Sequence, residues 1–325
     1  MRSFLSLVAT AFALTLPTLP ALAAPTPATR LDHVLLWGRG IDEVTSIMAV
    51  KLGFQVRPGR DPGGVADRYI RFSDTSFIEL LGVTRPNPDY DPGAKEDRMA
   101  LKEQPGAHTF GFRSEGVDAI RASLQALGYP VTQMFAGPDS AKPGWHLFAF
   151  DRQPLSNGTF FIDYKADYAP DQWDPTNRAD WQATREHPNG ARALSAIWLV
   201  SNDPENDRKQ LQRMGYGGAK PVRLTAVAAS GYCVPVGPTA LLTLRPDGAG
   251  LASDALAKSG PRVLGVSLAT ADLGRAKRWV ERGYERKLDD YAGMSGASFL
   301  APTLGDLGML IEFHGPSATG QAPCG

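Results

Sequence analysis

Four ionisable side chains interrupt stretches of this sequence that are otherwise apolar. His33 lies in LDHVLLW and Glu79 in FIELL, while His108 lies in HTFGF and Asp163 in FFIDY. Burying a lone imidazolium or carboxylate is costly unless it is paired, hydrogen-bonded or bound to a metal, so one shared cation would satisfy all four. Two imidazoles with carboxylates suit divalent zinc, iron, nickel or manganese. The alternatives are hydrogen-bonded core or rim residues, or a metal-free pair of His33 with Glu79.

Other side chains near these positions are candidates for contact with a substrate. In strands with a period of two, Trp37 shares a face with His33, and Phe110 shares a face with His108. Arg68, in DRYIRF, carries the planar fork that suits a carboxylate. His146, in GWHLFAF, is a candidate catalytic acid or base, although a rim histidine explains it as well. Glu79 is a candidate catalytic base as well as a ligand.

The elements that would position these residues recur along the chain. Residues 31–83 show an apolar strand, a helix with apolar residues at helical spacing, and then short extended runs separated by turn residues. The same order returns three times, and each helix ends in a glycine followed by an aromatic residue: Phe54, Tyr129, Tyr216 and Tyr284. Glycine suits the end of a helix because it adopts the left-handed conformation cheaply. The pattern predicts four repeats of one βαβββ module.

With LDHVLLW, FIELLGV and the connector HPNGA in place, the sequence resembles the vicinal oxygen chelate superfamily, and within it the glyoxalase-like proteins with four modules. The likeness covers almost all of residues 31–315. It implies an α+β fold in which four βαβββ modules pair into two half-barrel domains of the glyoxalase and extradiol dioxygenase type. Each half-barrel would form a cup around a metal or an apolar ligand.

The resemblance also implies where a metal would bind. In that superfamily the ligands come from the first and last strands of paired modules, which implies His33, Glu79, His108 and Asp163 in the N-terminal pair. Asp163 departs from the glutamate usual at its place. The C-terminal pair has Ala196 and Gly265 where histidines would stand, with Glu312 as its one acidic candidate, so it is expected to be a degenerate copy or an apolar-ligand cup.

The ends of the chain suggest export and a division into domains. Arg2, an apolar run and Ala21-Leu22-Ala23 predict a signal peptide over residues 1–23 and a periplasmic or secreted protein. The predicted domains are residues 30–187 and 188–316, followed by a tail over 317–325. His187, in the connector, is expected to cap or pin it. The two cysteines, Cys233 and Cys324, are equally compatible with a disulfide and with free thiols.

Composition narrows the class of partner. Lys plus Arg and Asp plus Glu each number 34, and neither a basic stripe nor a basic amphipathic helix is present, so nucleic acid and membrane surfaces are not expected partners after signal cleavage. A small molecule is expected, bound by a monomer or a homodimer. Three functions stay open: a metal-dependent lyase, isomerase or dioxygenase acting on vicinal oxygens, a metal-free binding or sequestering protein of the resistance type, and a structural or partner-binding protein.

Overall fold

The computed structural model describes residues 28–61, 63–137, 144–164, 179–180, 182–316 and 324. The predicted signal peptide and nearly all of the predicted tail lie outside these residues. Within them, no helix is both long enough and apolar enough to cross a membrane.

The N-terminal half contains two modules with the same order of elements. The first consists of β1 (Arg30–Trp37), α1 (Ile41–Ser46) with a π-helical turn (Ile47–Lys51), β2 (Arg57–Pro58), β3 (Val65–Arg71) and β4 (Phe77–Val83). After a connecting helix, α2 (Pro92–Ala100), the second consists of β5 (Gly106–Arg113), α3 (Val117–Ala126), β6 (Phe135–Ala136), β7 (Trp145–Ala149) and β8 (Gly158–Tyr164). Asp91 caps α2 by accepting a hydrogen bond from the Ala94 amide, and Pro92 occupies its first turn.

The C-terminal half repeats this order twice. The third module consists of β9 (Ala191–Val200), α4 (Pro204–Arg213), β10 (Lys220–Leu224), β11 (Ala229–Val236) and β12 (Thr239–Pro246). A second connecting helix, α5 (Leu251–Ser259), leads to the fourth module, with β13 (Arg262–Thr270), α6 (Leu273–Gly283), β14 (Asp290–Gly293), β15 (Gly296–Ala301), a short α7 (Leu304–Leu307) and β16 (Leu310–His314).

The sheet pairs the modules two by two. In every module the first strand runs parallel to the last, and β1 pairs with β5 while β9 pairs with β13, both antiparallel. The pairing of Val263 with Ala107 joins the strands of the two halves into one β-sheet. The α+β fold with four modules in two half-barrels is therefore confirmed.

The glycines that end the helices serve two different purposes. Gly53, Gly128 and Gly215 have positive φ, as expected for a residue that terminates a helix. Gly283 lies within α6, and a Cβ there would lie 2.2 Å from the carbonyl oxygen of Lys51. This fourth glycine is therefore required by the close approach of α6 to the π-helical turn of the first module.

The two faces of the sheet are packed differently. One large apolar core draws buried residues from all four modules and includes Val34, Phe112, Ile197 and Val266. The opposite, concave face forms a cup in each half. In the C-terminal half this concave side is filled by a second apolar cluster, whereas in the N-terminal half the corresponding cluster is small and centres on Trp37.

The connector between the halves is pinned by its polar side chains. His187 Nδ1 accepts a hydrogen bond from the Gln55 amide, and its Nε2 donates to the carbonyl of Arg71. Asn189 donates to the carbonyl of Leu52. Burial lowers the pKa of His187 to about 4, so the ring remains neutral. The expectation that His187 pins the connector is confirmed.

Cys233 and Cys324 form a disulfide, with Cα atoms 5.6 Å apart. The bond ties the end of the chain to β11, and both cysteines belong to the apolar cluster that fills the C-terminal cup. The choice between a disulfide and free thiols is thereby settled in favour of the disulfide.

Candidate functional site

The site in the N-terminal cup begins with an irregularity in β1. Leu31 lies opposite Phe112 of β5 and His33 lies opposite Gly111, so Asp32 is an extra residue on its strand. Such a β-bulge interrupts the alternation of side chains and re-aims them. It brings the side chains of Asp32 and His33 together, although consecutive residues of a regular strand point to opposite faces.

His33 connects two carboxylates. Its Nδ1 lies 2.6 Å from Asp32 Oδ2, and its Nε2 lies 3.5 Å from Glu79 Oε2. The Asp32 side chain is fully buried, whereas 19% of the Glu79 side chain is exposed. Burial alone would lower the pKa of His33, but the hydrogen bonds and charges of Asp32 and Glu79 outweigh it and raise that pKa. The ring therefore lies between two carboxylates that favour its protonated form.

Asp32 is itself held from behind. Arg113 Nε donates to Oδ1 at 2.6 Å, and the Tyr164 hydroxyl donates to Oδ2 at 2.8 Å. Burial would raise the pKa of Asp32, but the hydrogen bond and charge of His33, with the Arg113 guanidinium, outweigh it and lower that pKa. An ionised Asp32 accepts the Nδ1 proton of His33, which leaves Nε2 directed toward Glu79.

Aromatic rings form the walls beside His33. The Phe77 ring stacks on the imidazole with centroids 4.0 Å apart, and the Phe160 ring is tilted against it at 5.1 Å. A Cβ on Gly111 would lie 2.6 Å from the Phe160 ring, so the glycine allows this ring to pack closely. Tyr69 meets Phe77 edge-on, with centroids 5.8 Å apart. These walls favour a small ligand with flat or apolar faces.

One side of this site is rich in positive charge. The Arg71 guanidinium lies over the Tyr69 ring, 4.8 Å from its centroid. Burial, together with the charges of Arg71 and Arg113, lowers the pKa of Arg185 to about 9. The three guanidinium groups are thus close enough to influence one another electrostatically.

The second module does not repeat the His33 arrangement. β1 and β5 are both eight residues long, and aligning their ends matches His33 with Thr109 and Asp32 with His108. His108 Nδ1 lies 3.3 Å from the carbonyl oxygen of Pro261 in the C-terminal half. The expected match of His33 with His108 is therefore wrong by one residue, because β1 begins at Arg30, so that His33 is its fourth residue, whereas His108 is the third residue of β5.

Asp163 also lies elsewhere. β4 and β8 are both seven residues long, and their alignment matches Glu79 with Phe160. Asp163 Oδ2 accepts a hydrogen bond from the Gly116 amide at the start of α3. His146 is the cross-strand neighbour of Asp163 and shares a face of β7 with Phe148, whose ring stacks on Phe161 in the large core. Neither side chain is directed at the N-terminal cup.

The candidate substrate contacts are distributed over both faces. Trp37 lies on the concave face but is fully buried, and its Nε1 donates to Asp97 of α2, which also accepts from Thr109. Phe110 is fully buried in the large core, because the bulge in β5 changes which residues face the cup. Of these two predicted substrate contacts, Trp37 is therefore covered by α2, and Phe110 lies on the face of the sheet that packs in the large core.

Arg68 points toward the helices. Its guanidinium donates to Thr45 and to Asp42 of the first module. Alternation along β3 places Tyr69 and Arg71 on the opposite face, toward the cup. The structure therefore offers Arg71, three residues after Arg68 in the chain, as the arginine of this site.

The donor set of the cup does not fit a catalytic metal. Such a centre offers three protein ligands as a rule, whereas among the four predicted ligands only His33 and Glu79 face each other. Within the described ranges, no group of three or more His, Cys, Asp or Glu side chains is arranged to hold a metal ion. The metal hypothesis stays a prediction that the arrangement of these side chains does not support.

The C-terminal cup is closed by its own side chains. Trp198 is buried across Gly265, and its Nε1 donates to Ser267 Oγ, which in turn donates to Glu312. The Tyr291 hydroxyl donates to the other oxygen of Glu312. Burial raises the pKa of Glu312, although both hydrogen bonds oppose this. The acid is satisfied by neighbours within a filled interior, as expected for a degenerate copy.

Comparison with known proteins agrees with this architecture. The model of the glyoxalase-like domain family matches residues 31–215. No curated protein sequence matches this chain.

Several solved structures share the fold at low sequence identity. A mutant of 4-hydroxymandelate synthase from Streptomyces coelicolor is 13% identical, with a TM-score of 0.65 over 92% of this chain and 96% of that one. A catechol 2,3-dioxygenase is 14% identical, with a TM-score of 0.56 over 90% and 89%. A substrate complex of homoprotocatechuate 2,3-dioxygenase from Brevibacterium fuscum with 3,4-dihydroxyphenylacetate is 16% identical, with a TM-score of 0.55 over 90% and 82%.

Proposed function

Because the chain belongs to the glyoxalase-like domain family, within the vicinal oxygen chelate superfamily, we propose that its N-terminal cup is the active site of an enzyme that transfers protons on a small molecule with vicinal oxygens. The observation that carries the proposal is the series Arg113, Asp32, His33 and Glu79, of which Asp32 and His33 are buried. Each member is within reach of the next, and the series ends at a partly exposed carboxylate. A base oriented by a second group is the arrangement that general acid–base catalysis needs.

The chemistry follows from the two ends of the His33 ring. Nδ1 is committed to Asp32, so Nε2 is the atom that takes a proton from a carbon or hydroxyl beside the vicinal oxygens. The positive charge that then develops on the ring is stabilised by Asp32 and by Glu79. Glu79, which reaches solvent, returns or removes the proton. This assignment supports a lyase or isomerase reaction more directly than a dioxygenase reaction, and it uses no metal.

The test is hydrogen–deuterium exchange catalysed by the purified protein. α-Hydroxy ketones and α-keto acids are incubated in deuterium oxide, and loss of the α-proton signal is followed by nuclear magnetic resonance. We expect exchange by the parent, and a loss of about a hundredfold or more in His33→Gln and in Glu79→Gln, the range typical of a removed acid or base. Circular dichroism of both variants checks that they fold. Exchange that persists unchanged in both variants would refute the assignment.

A metal-free binding or sequestering protein is the second candidate, and the aromatic walls favour it. Phe77, Phe160 and Tyr69 give the site an aromatic lining that suits a flat ligand whether or not His33 does chemistry. Ligands that bind to the parent and to His33→Gln with equal affinity, without exchange in either, would favour this function.

Elemental analysis of the same preparation addresses the metal. With two facing donors, we expect less than one equivalent of zinc, iron, nickel or manganese after expression in metal-replete medium. One equivalent that is lost in both His33→Ala and His108→Ala would instead restore the four-ligand hypothesis.

We also propose that the protein works outside the cytoplasm. The predicted signal peptide motivates this, and the disulfide between Cys233 and Cys324 is the kind of bond that persists in oxidising compartments. Mass spectrometry of a periplasmic fraction should find a chain that begins at Ala24 or Pro25. An uncleaved chain in the cytosol would contradict export.

A further inference from the structure

Arg71 is placed at the cup by the register of β3 and β4. It lies opposite Phe77, while Tyr69 lies opposite Glu79, so these four side chains belong to the same face of the sheet as His33. Arg71 is half-buried. Its guanidinium carbon lies 4.8 Å from the Tyr69 ring centroid and 5.7 Å from that of Phe77, and the same Phe77 ring stacks on His33. The cation is therefore held one ring away from the reactive imidazole.

None of the described residues neutralises the charge of Arg71. The neighbouring arginines have acids: Arg113 contacts Asp32, and Arg30 lies 4.0 Å from Asp74. Among the described residues, no carboxylate lies within ion-pair distance of the Arg71 guanidinium, and no acceptor takes a hydrogen bond from it. A guanidinium has five N–H donors, so Arg71 has donors left for a ligand in the cup.

The surroundings of Arg71 increase the attraction for an anion. Arg185 is buried, and its pKa is lowered by burial and then by the charges of Arg71 and Arg113. The charges of Arg71 and Arg113 disfavour that of Arg185, and an anion bound beside Arg71 reduces this repulsion. The Tyr69 and Phe77 rings lie beside the guanidinium and restrict its motion, which reduces the entropy lost when it binds.

We propose, on the basis of the proposed function, that the substrate class is a small planar molecule with a carboxylate, which Arg71 binds as a bidentate partner while the vicinal oxygens lie at His33 and Glu79. A carboxylate matches the guanidinium fork in geometry as well as in charge. The flat part of the molecule lies against Phe77 and Phe160. Arg71 is thus a specificity-determining residue of the site.

The test compares two probes that differ in a carboxylate-bearing arm, 3,4-dihydroxyphenylacetate and catechol. Isothermal titration calorimetry measures the affinity of the purified protein for each. We expect the carboxylate to improve binding by about tenfold or more, which is the lower end for a hydrogen bond between charged groups. Arg71→Gln should bring the affinity for 3,4-dihydroxyphenylacetate down to that for catechol, and Arg71→Lys should recover part of the difference.

Arg68→Gln is the matched variant, because it removes the same charge from the opposite face of the same strand. It should preserve the preference for the carboxylate. Equal affinities of the parent for the two probes, no measurable binding of either, or a preference that survives in Arg71→Gln would each overturn the inference. So would a preference that disappears in Arg68→Gln and remains in Arg71→Gln.

Failure of this inference can be told apart from failure of the proposed chemistry. If the preference depends on Arg71 but no deuterium exchange occurs, anion binding stands and the acid–base assignment falls. If exchange depends on His33 and Glu79 but carboxylates gain nothing from Arg71, the assignment stands and the inference about the substrate falls.

Discussion

Asp97 provides a test of how α2 covers the N-terminal cup. Its side chain is fully buried between Trp37 Nε1, 3.1 Å away, and Thr109 Oγ1, 2.5 Å away, and no cation is among its hydrogen-bond partners in the described part of the chain. Burial raises its pKa from 3.8 to about 7, although the two hydrogen bonds oppose the rise. Near neutral pH the folded protein therefore holds a carboxyl group that is only partly ionised.

The sign and size of the effect on stability follow from this pKa. Because the folded state binds the proton more tightly than the unfolded state, the free energy of unfolding falls as pH rises from the ordinary pKa toward about 7. At about 1.4 kcal/mol for each pH unit, this interval corresponds to roughly 4 kcal/mol. The side chain of Asp97→Asn has the same shape as that of the acid, and its oxygen can still accept the hydrogen bond from Trp37, but it cannot ionise. The variant should match the parent near pH 4 and exceed it in stability by up to about 4 kcal/mol near pH 8.

The assay is urea unfolding of parent and variant at several values between about pH 4 and about pH 8. Asp289→Asn, which changes an exposed acid in the C-terminal half, is the control and should follow the parent at every pH. The reasoning fails if the stability difference between Asp97→Asn and the parent does not grow with pH. It also fails if that difference has the opposite sign, since an ionised Asp97 would then stabilise the contact of α2 with the cup.

Three further predictions concern the rest of the fold. Trp198→Ala should lower the free energy of unfolding by about 3 to 5 kcal/mol in chemical unfolding, as large buried aromatic residues do, while leaving probe binding in the N-terminal cup unchanged. Cys324→Ser should cost about 2 to 5 kcal/mol, and a reducing agent should lower the melting temperature of the parent but not of this variant. The pKa of His187 is lowered to about 4, so its neutral ring stabilises the fold above pH 6.5. This contribution, about 3 kcal/mol, should be lost as pH falls toward 4. In unfolding measured across the same pH range, His187→Asn should not show that loss.

The repeat could be predicted from sequence because it depends on patterns that survive divergence. Apolar periodicity and the Gly-aromatic helix ends mark each module, and the pairing of modules followed from resemblance. The register within the strands could not be predicted in the same way. One extra residue in a strand exchanges its faces, and nothing in LDHVLLW or HTFGF announces a bulge. That is why Phe110 was expected at the cup and lies in the core.

The unpredicted register of the strands also explains which site residues sequence reasoning missed. Asp32 precedes His33 directly, and in a regular strand it would point away from it. The available signal for Asp32 was that two consecutive ionisable residues stand in an apolar run, because burying both is costly unless their side chains contact each other. Arg113 and Tyr164 are far from Asp32 in sequence, and only the pairing of β1 with β5 and β5 with β8 brings them to it. Arg71 could be distinguished from Arg68 only by knowing which face of β3 is concave.

The two cups together show how one architecture becomes either a site or a core. Ser195 is the extra residue in β9 as Asp32 is in β1, so Ala196 takes the place of His33 and Trp198 the place of Leu35. Each cup retains one acid, but on a different module: Glu79 lies on the last strand of the first module and Glu312 on the last strand of the fourth. In the C-terminal cup the indole of Trp198 fills the space and closes a hydrogen-bond chain on Glu312. Leu35 has no polar atom and covers less volume, so Glu79 keeps its access to solvent and faces His33 instead. A large side chain three residues after the extra residue therefore fills the C-terminal cup, whereas Leu35 stands at that place in the first module and Glu79 stays partly exposed.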